Sequence, residues 1–204
     1  MAVYYPNCNA TFIHIPKTGG ESLNRWSMEN NMLFDTKQKH CSVSHARTIW
    51  KNIGLTFTFI RNPFDRMVSI FHFIGQEAKK RATHHYDKLM ENYYELGFEN
   101  WLCEYSAGAD TPYVRGFKNW KHSFDWYSNP KTYDYWIEDD VDVVIKLEQT
   151  DKNKVLSEIL NTQVFLPHEN RSTRSNYKDY YNKHTRNIVE TMFWNDLEKY
   201  GYEY

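Results

Sequence analysis

The fold is constrained most by the segment TFIHIPKTGGESL (residues 11–23), in which an apolar alternating run ends abruptly in Pro-Lys-Thr-Gly-Gly. Residues 10–15 are typical of a strand, and residues 21–30 are typical of a helix. Glycines at a strand exit let backbone amides approach a ligand closely, and the neighbouring Lys17 supplies a positive charge. A strand, a tight loop and a helix N-terminus in this order favour a bound anion such as phosphate. An ordinary turn with a solvated lysine would show the same local pattern.

The order of residues in this loop argues against a nucleoside-triphosphatase site. In such a loop the lysine follows the second glycine, and a Ser or Thr that binds magnesium comes next. Here Lys17 precedes Gly19 and Gly20. We therefore do not expect a magnesium triphosphate at this loop.

A second strand followed directly by a helix is predicted from LTFTFIRNPFDRMVSIF. Residues 55–60 are rich in aromatic and β-branched side chains, which favours a strand. Asn62 is a natural N-cap for the next helix, and Pro63 suits its first position. The apolar residues at helical spacing should form its buried stripe. They are Phe64, Met67, Val68 and Phe71.

Arg61 and Ser69 make this second segment a further candidate for anion binding. Arg61 follows the strand directly, and Ser69 lies on the helix away from the apolar stripe. A guanidinium and a hydroxyl so placed could hold a second phosphate, although a helix-capping arginine and an exposed serine are common. Two such strand ends in one sheet fit one ligand that lies across the carboxyl edge.

The rest of the chain continues the alternation of strands and helices. Residues 140–148 predict a buried strand and residues 151–160 a helix, whereas residues 105–135 have no clear period. Apolar residues of the last segment share one helical face. They are Val189, Met192, Phe193, Leu197 and Tyr200. We predict an α/β fold with a mainly parallel central sheet flanked by helices, in a single domain over residues 1–204.

The composition of the chain argues against several classes of binding partner and site. The 204 residues carry a net charge of -1, which gives no reason to expect nucleic acid or a membrane surface held by bulk charge. The 3 cysteines show no CxxC spacing, which argues against a disulfide framework or a zinc site. No apolar run approaches membrane-spanning length, so we expect a soluble cytoplasmic protein with no membrane segment.

HIPKTGGESL and FTFIRNPFDRMVSIF together resemble the sulfotransferases that use 3′-phosphoadenosine 5′-phosphosulfate (PAPS). The resemblance is to the carbohydrate branch, which includes heparan 2-O- and chondroitin-type enzymes and their bacterial relatives. It extends to KHCSVSHARTI, VIKLEQT and the segment from LPHENRSTR to the final tyrosine. It implies a P-loop-like sulfotransferase fold, with PAPS as co-substrate and no metal.

The resemblance also implies roles for particular residues. The loop around the 5′-phosphosulfate would consist of Lys17, Thr18, Gly19, Gly20 and Ser22. Arg61 and Ser69 would hold the 3′-phosphate. The segment that closes over the cofactor would contribute Arg171, Ser172 and Arg174. Related loops carry Thr at the position of Glu21. The Glu21 side chain could cap the helix, contact the acceptor or act as a base.

Sulfuryl transfer makes demands similar to those of phosphoryl transfer. An acceptor oxygen must attack in line, and Lys17 is suited to stabilise charge on the bridging oxygen. The acceptor hydroxyl must lose a proton, and histidine is the natural base. Related enzymes carry a histidine at the position of His40, which we choose as the base, with His45 as its rival. His14 is expected to be structural or to support the site.

The expected reaction is sulfuryl transfer from PAPS to a hydroxyl acceptor, for which a carbohydrate is favoured. Aromatic residues could form the acceptor wall, although core packing is expected for at least half of them. They are Trp101, Trp120, Trp126 and Tyr127. The alternatives are sulfation of tyrosine or of a small molecule, a nucleotide-binding module without turnover, and a phosphotransferase.

Overall fold

The computed structural model describes residues 2–36, 40–80, 91–92, 94–107, 131–138, 140–166 and 174–204. They fall into two compact units. The first consists of Met1–Arg61 and Thr132–Arg171, and the second of Asn62–Lys131 and Ser172–Tyr204.

The first unit contains a four-stranded sheet. Its strands are β1 (Val3–Tyr5), β2 (Ala10–Ile13), β3 (Leu55–Ile60) and β4 (Val143–Lys146), in the spatial order β1-β2-β3-β4. β1 pairs antiparallel with β2, and the other two pairings are parallel. Because β2, β3 and β4 run the same way, their carboxyl ends share one edge of the sheet.

The helices in chain order are α1 (Gly20–Glu29), α2 (Val43–Ile49), α3 (Pro63–Lys80), α4 (Phe98–Ser106), α5 (Tyr133–Ile137), α6 (Lys152–Leu160), α7 (Lys183–Met192) and α8 (Trp194–Tyr200). A 3-10 helix covers Tyr177–Tyr180.

Helices of the first unit cover both faces of the sheet. On one face, α1 and α6 contribute side chains to a core with the strands. Its members include Phe12, Leu23, Trp26, Phe57, Phe59, Ile145, Leu156 and Leu160. On the other face, Val43 and Ala46 of α2 pack with Ile13, Trp50 and Ile53. The mixed α/β class with a mostly parallel, helix-flanked sheet is therefore confirmed.

The second unit is helical and is organised around α3. The Asn62 side chain accepts a hydrogen bond from the amide of Phe64 at 3.0 Å, as expected for an N-cap. Every residue of the predicted apolar stripe is at most 5% exposed. The hydroxyl of Tyr181 donates to the carbonyl of Phe64 at 2.8 Å, which ties α3 to the chain just before α7.

Several elements differ from the sequence prediction. The strand expected over residues 140–148 is confined to β4, and the strand expected over 10–15 ends at Ile13. The last helical segment is divided, because the backbone leaves helical geometry at the buried Phe193. β1, α2, α4 and α5 have no counterpart among the predicted elements.

Candidate functional site

The loop between β2 and α1 has the backbone geometry of an anion site. Lys17 and Gly19 have positive φ values of 66° and 93°, respectively. When residues alternate between right-handed and left-handed conformations, successive backbone N–H groups point into one concave site, which suits an anion. The buried hydroxyl of Thr18 donates to the carbonyl of Ile15 at 2.8 Å and closes the turn from inside. Thr18 therefore holds the loop, and its hydroxyl is directed into the protein.

The N-terminus of α1 adds a second contribution. The N-cap is Gly19, which has no side chain with which to cap the first amides. The ten-residue helix directs its positive dipole end to the same place. Ser22 is half-buried in the first turn, whereas Glu21 is exposed. The amide of Ser22 already donates to the carbonyl of Gly19 at 3.0 Å, so an anion at this position would meet the other amides of the first turn.

Two close contacts explain why two glycines are adjacent here. A Cβ on Gly20 would lie 2.3 Å from Cδ2 of the His14 ring, and a Cβ on Gly19 would lie 2.8 Å from Cδ1 of Leu147. His14 follows β2 and Leu147 follows β4, so the loop is packed between groups at the carboxyl edge of the sheet. Gly20 is therefore required by packing against the rigid His14 ring, and Gly19 is required by its positive φ.

Arg61 reaches this loop from the end of β3. Its Nη1 donates to the carbonyl oxygen of Lys17 at 3.4 Å. Its own amide donates to the hydroxyl of the fully buried Tyr133 at 3.1 Å, and that hydroxyl donates to the Arg61 carbonyl. The backbone of Arg61 is thus held by α5, while its guanidinium lies beside the loop.

His40 is the half-buried histidine of the site. Its Nδ1 lies 3.0 Å from the carbonyl oxygen of His14, and the two ring centroids are 4.7 Å apart. The Trp136 indole also contacts the His40 ring, with a centroid distance of 6.4 Å and an interplanar angle of 68°. Since a carbonyl only accepts, Nδ1 must carry the proton, which leaves the lone pair of the neutral ring on Nε2. The ring therefore has a defined basic atom.

Two other groups near His40 are less suited to be the base or a nucleophile. His45 is exposed on the first turn of α2. Cys41 is 4% exposed, and burial raises the pKa of its thiol to about 11. At neutral pH that thiol is protonated and is a poor nucleophile.

In the second unit, the structure describes Ser69 and Arg174. Ser69 is half-buried on α3. Arg174 forms an ion pair with Asp65, one helical turn before Ser69, and its side chain is only 11% exposed. Among the described residues, the buried Nη1 of Arg174 has no hydrogen-bond acceptor. Arg174 thus has a carboxylate partner within its own unit.

The remaining candidates divide between the core and the part of the chain outside the described residues. Trp101 is 1% exposed and stacks on Tyr105 with a centroid distance of 4.9 Å, so it packs in the core and does not form an acceptor wall. Five candidates lie outside the described residues. They are Trp120, Trp126, Tyr127, Arg171 and Ser172.

Sequence reasoning missed the groups that support the site. Tyr133 and Trp136 lie in or beside the segment without clear period, where no pattern pointed to them. Leu147 was only part of a predicted strand. The adjacent glycines were the one available signal of a close neighbour, because glycine is required where another group crowds the backbone.

Comparison with protein-family models, curated proteins and solved structures finds no match for the chain. The described residues include no group of three or more His, Cys, Asp or Glu side chains that could hold a metal ion. None of the helices in the described ranges has the length and apolar character needed to cross a bilayer. The geometry of the loop, Arg61 and His40 is therefore what bears on function.

Proposed function

We propose that this protein is a PAPS-dependent sulfotransferase that acts on a hydroxyl acceptor, with a carbohydrate as the favoured acceptor, and that its sheet belongs to a P-loop-like sulfotransferase fold. One observation carries the proposal. The positive-φ loop, the Arg61 guanidinium and the ring of His40 meet at the carboxyl edge of three parallel strands. Ligands of α/β proteins bind at this edge.

The loop supplies the groups that the 5′-phosphosulfate needs. Lys17 and the first amides of α1 provide fixed positive charge, which stabilises negative charge that develops on the bridging oxygen. These groups are already oriented, so little reorganisation is required when the charge develops. Arg61 would contribute to recognition of the 3′-phosphate, and Ser69 and Arg174 remain predictions for that group.

His40 supplies the base. In the proposed step, the acceptor oxygen forms a bond to sulfur while the bond from sulfur to the bridging oxygen breaks. The acceptor proton passes to Nε2 of His40, and 3′-phosphoadenosine 5′-phosphate (PAP) leaves. The hydrogen bond from Nδ1 to the His14 carbonyl keeps Nε2 unprotonated before the step and stabilises the charged ring after it.

The cofactor class is tested by thermal unfolding with three ligands. They are PAP, adenosine 5′-phosphate, which lacks the 3′-phosphate, and ATP with magnesium. A ligand at about 100 times its dissociation constant adds roughly 2.7 kcal/mol, which should raise the midpoint by roughly 5–10 °C for a chain of this size. Stabilisation by PAP alone is expected. Equal effects of the three ligands, or a preference for ATP, would reject the proposal.

Matched variants then separate cofactor binding from chemistry. Lys17→Ala should abolish turnover, whereas Lys51→Ala removes an exposed lysine that precedes β3 and should leave turnover unchanged. His40→Ala should lose turnover while the PAP-induced shift remains. Transfer of a labelled sulfuryl group from PAPS to a panel of glycan, tyrosine and small-molecule acceptors identifies the acceptor class. Normal turnover in His40→Ala would indicate that His45 or Glu21 is the base instead.

A further inference from the structure

His14 contacts both the start of the loop and the ring of His40. It is 2% exposed and directly follows β2. One side of its ring stacks on Phe12, with a centroid distance of 5.6 Å and an interplanar angle of 26°. Atoms Cδ2, Nε2 and Cε1 of the same ring occupy the space that a side chain on Gly20 would need. A buried ring between a core phenylalanine and the loop has little room to move.

The same residue also fixes His40 at two points. The His14 carbonyl accepts the hydrogen bond from Nδ1 of His40, and the His14 ring lies against the His40 ring at 59°. A single hydrogen bond would let an imidazole swing about its acceptor. A ring contact from the same residue restricts that swing, so the direction of Nε2 is defined as well as its protonation state.

We propose that His14 is a positioning residue that sets both the start of the phosphate-type loop and the orientation of His40 from one rigid group. The catalytic consequence rests on the proposed function, whereas the effect on the His40 ring does not. A displacement of the His14 ring would move the base relative to the anion at the loop. Misplacement of a catalytic group by about 1 Å can lower the rate about 100-fold.

Two substitutions separate the ring from the volume that it fills. His14→Phe keeps a flat aromatic ring against His40 and Gly20. His14→Leu keeps a similar volume but has no flat face, and the main-chain carbonyl is present in both variants. His184→Ala serves as the control, because it removes an exposed histidine from α7, to which no part of the site is assigned.

The first readout is the imidazole ¹⁵N spectrum of His40, assigned by its disappearance in His40→Ala. In the wild type and in His14→Phe, the neutral His40 ring should carry its proton on Nδ1. In His14→Leu the ring should shift toward the Nε2–H form that a freely moving imidazole prefers. The proposal is overturned if the Phe and Leu variants give the same His40 tautomer, or if wild-type His40 is not protonated on Nδ1. Neither outcome depends on sulfotransferase activity.

The second readout is turnover, which applies once PAPS-dependent transfer has been observed. His14→Leu should lower kcat about 10- to 100-fold, and it should also reduce the PAP-induced thermal shift, because the ring sets the start of the loop as well. His14→Phe should retain kcat within about threefold. Equal loss of kcat in both variants would refute positioning by the ring. Absence of transfer in the wild type, with the ¹⁵N result as expected, would reject the proposed function and leave the role of His14 in orienting His40 intact.

Discussion

Substitution of Gly20 by Ala tests the packing of the site without any assumption about function. Gly20 is the first residue of α1, and replacing a helical glycine by alanine ordinarily stabilises a protein by about 0.4–1 kcal/mol. Here the new Cβ would lie 2.3, 2.4 and 2.8 Å from three atoms of the His14 ring. These distances are far below van der Waals contact, so the ring or the helix start must shift.

The expected loss of stability is large because the His14 ring has little room to move. The ring is rigid, is 2% exposed and lies against the rings of Phe12 and His40. Overpacking of such a site costs about 1–3 kcal/mol, which exceeds the expected gain from alanine. We therefore expect Gly20→Ala to lose about 1–2 kcal/mol, which corresponds to a fall of roughly 2–8 °C in the midpoint.

The assay is urea unfolding followed by tryptophan fluorescence, applied to a double-mutant cycle with His14→Ala. Once the His14 side chain is reduced to a methyl group, Gly20→Ala should no longer clash and should be neutral or stabilising by about 0.5 kcal/mol. The sign of the Gly20→Ala effect thus depends on the residue at position 14. A stabilising effect in the wild-type background, or the same loss in both backgrounds, would refute the reasoning.

Three further changes test other parts of the molecule. Ser27→Ala removes the partner of the fully buried Tyr5 hydroxyl, 2.9 Å away, and should cost about 1–3 kcal/mol in urea unfolding. Burial and the nearby charge of Arg174 lower the pKa of His72. Since the folded pKa lies below the unfolded one, stability should fall as pH drops through the folded pKa, and His72→Gln should reduce this slope between pH 7 and 5. Asp65→Asn weakens the ion pair with the little-exposed Arg174 and should lower the free energy of unfolding by about 1–3 kcal/mol, measured in urea at neutral pH.

Local sequence patterns predicted the elements that depend on near neighbours. β3 begins and ends where its aromatic and β-branched run does, and Asn62 caps α3 as its residue type suggests. A tight loop was likewise predicted at the adjacent glycines, and Gly19 in that loop has a positive φ of 93°. Each of these features is decided within a few residues, so periodicity, capping and glycine chemistry were sufficient.

The parts that could not be predicted depend on residues far apart in the chain. The hydrogen bond from His40 to His14 joins positions 26 apart, and the clamp of Tyr133 on Arg61 joins positions 72 apart. β1 is only three residues long and is defined by pairing with β2, which a sequence pattern does not reveal. The choice of His40 over His45 by sequence rested on resemblance, whereas the structure adds burial and a fixed tautomer.

The backbone of Lys17 is in a strained conformation, and substitution at this position can test whether the lysine is kept for its amine. A lysine at φ 66° is held in a conformation that costs a non-glycine residue about 1–2 kcal/mol, and glycine would adopt it without that cost. Lys17→Gly and Lys17→Ala both remove the amine, but only the glycine variant relieves the strain. We therefore expect the free energy of unfolding in urea to be about 1 kcal/mol higher for the glycine variant than for the alanine variant. Both variants should lose the PAP-induced thermal shift or turnover. Equal stability of the two variants would show that the backbone is not strained. Higher stability with full loss of binding would show that the chain retains a strained lysine because its amine is needed at that position.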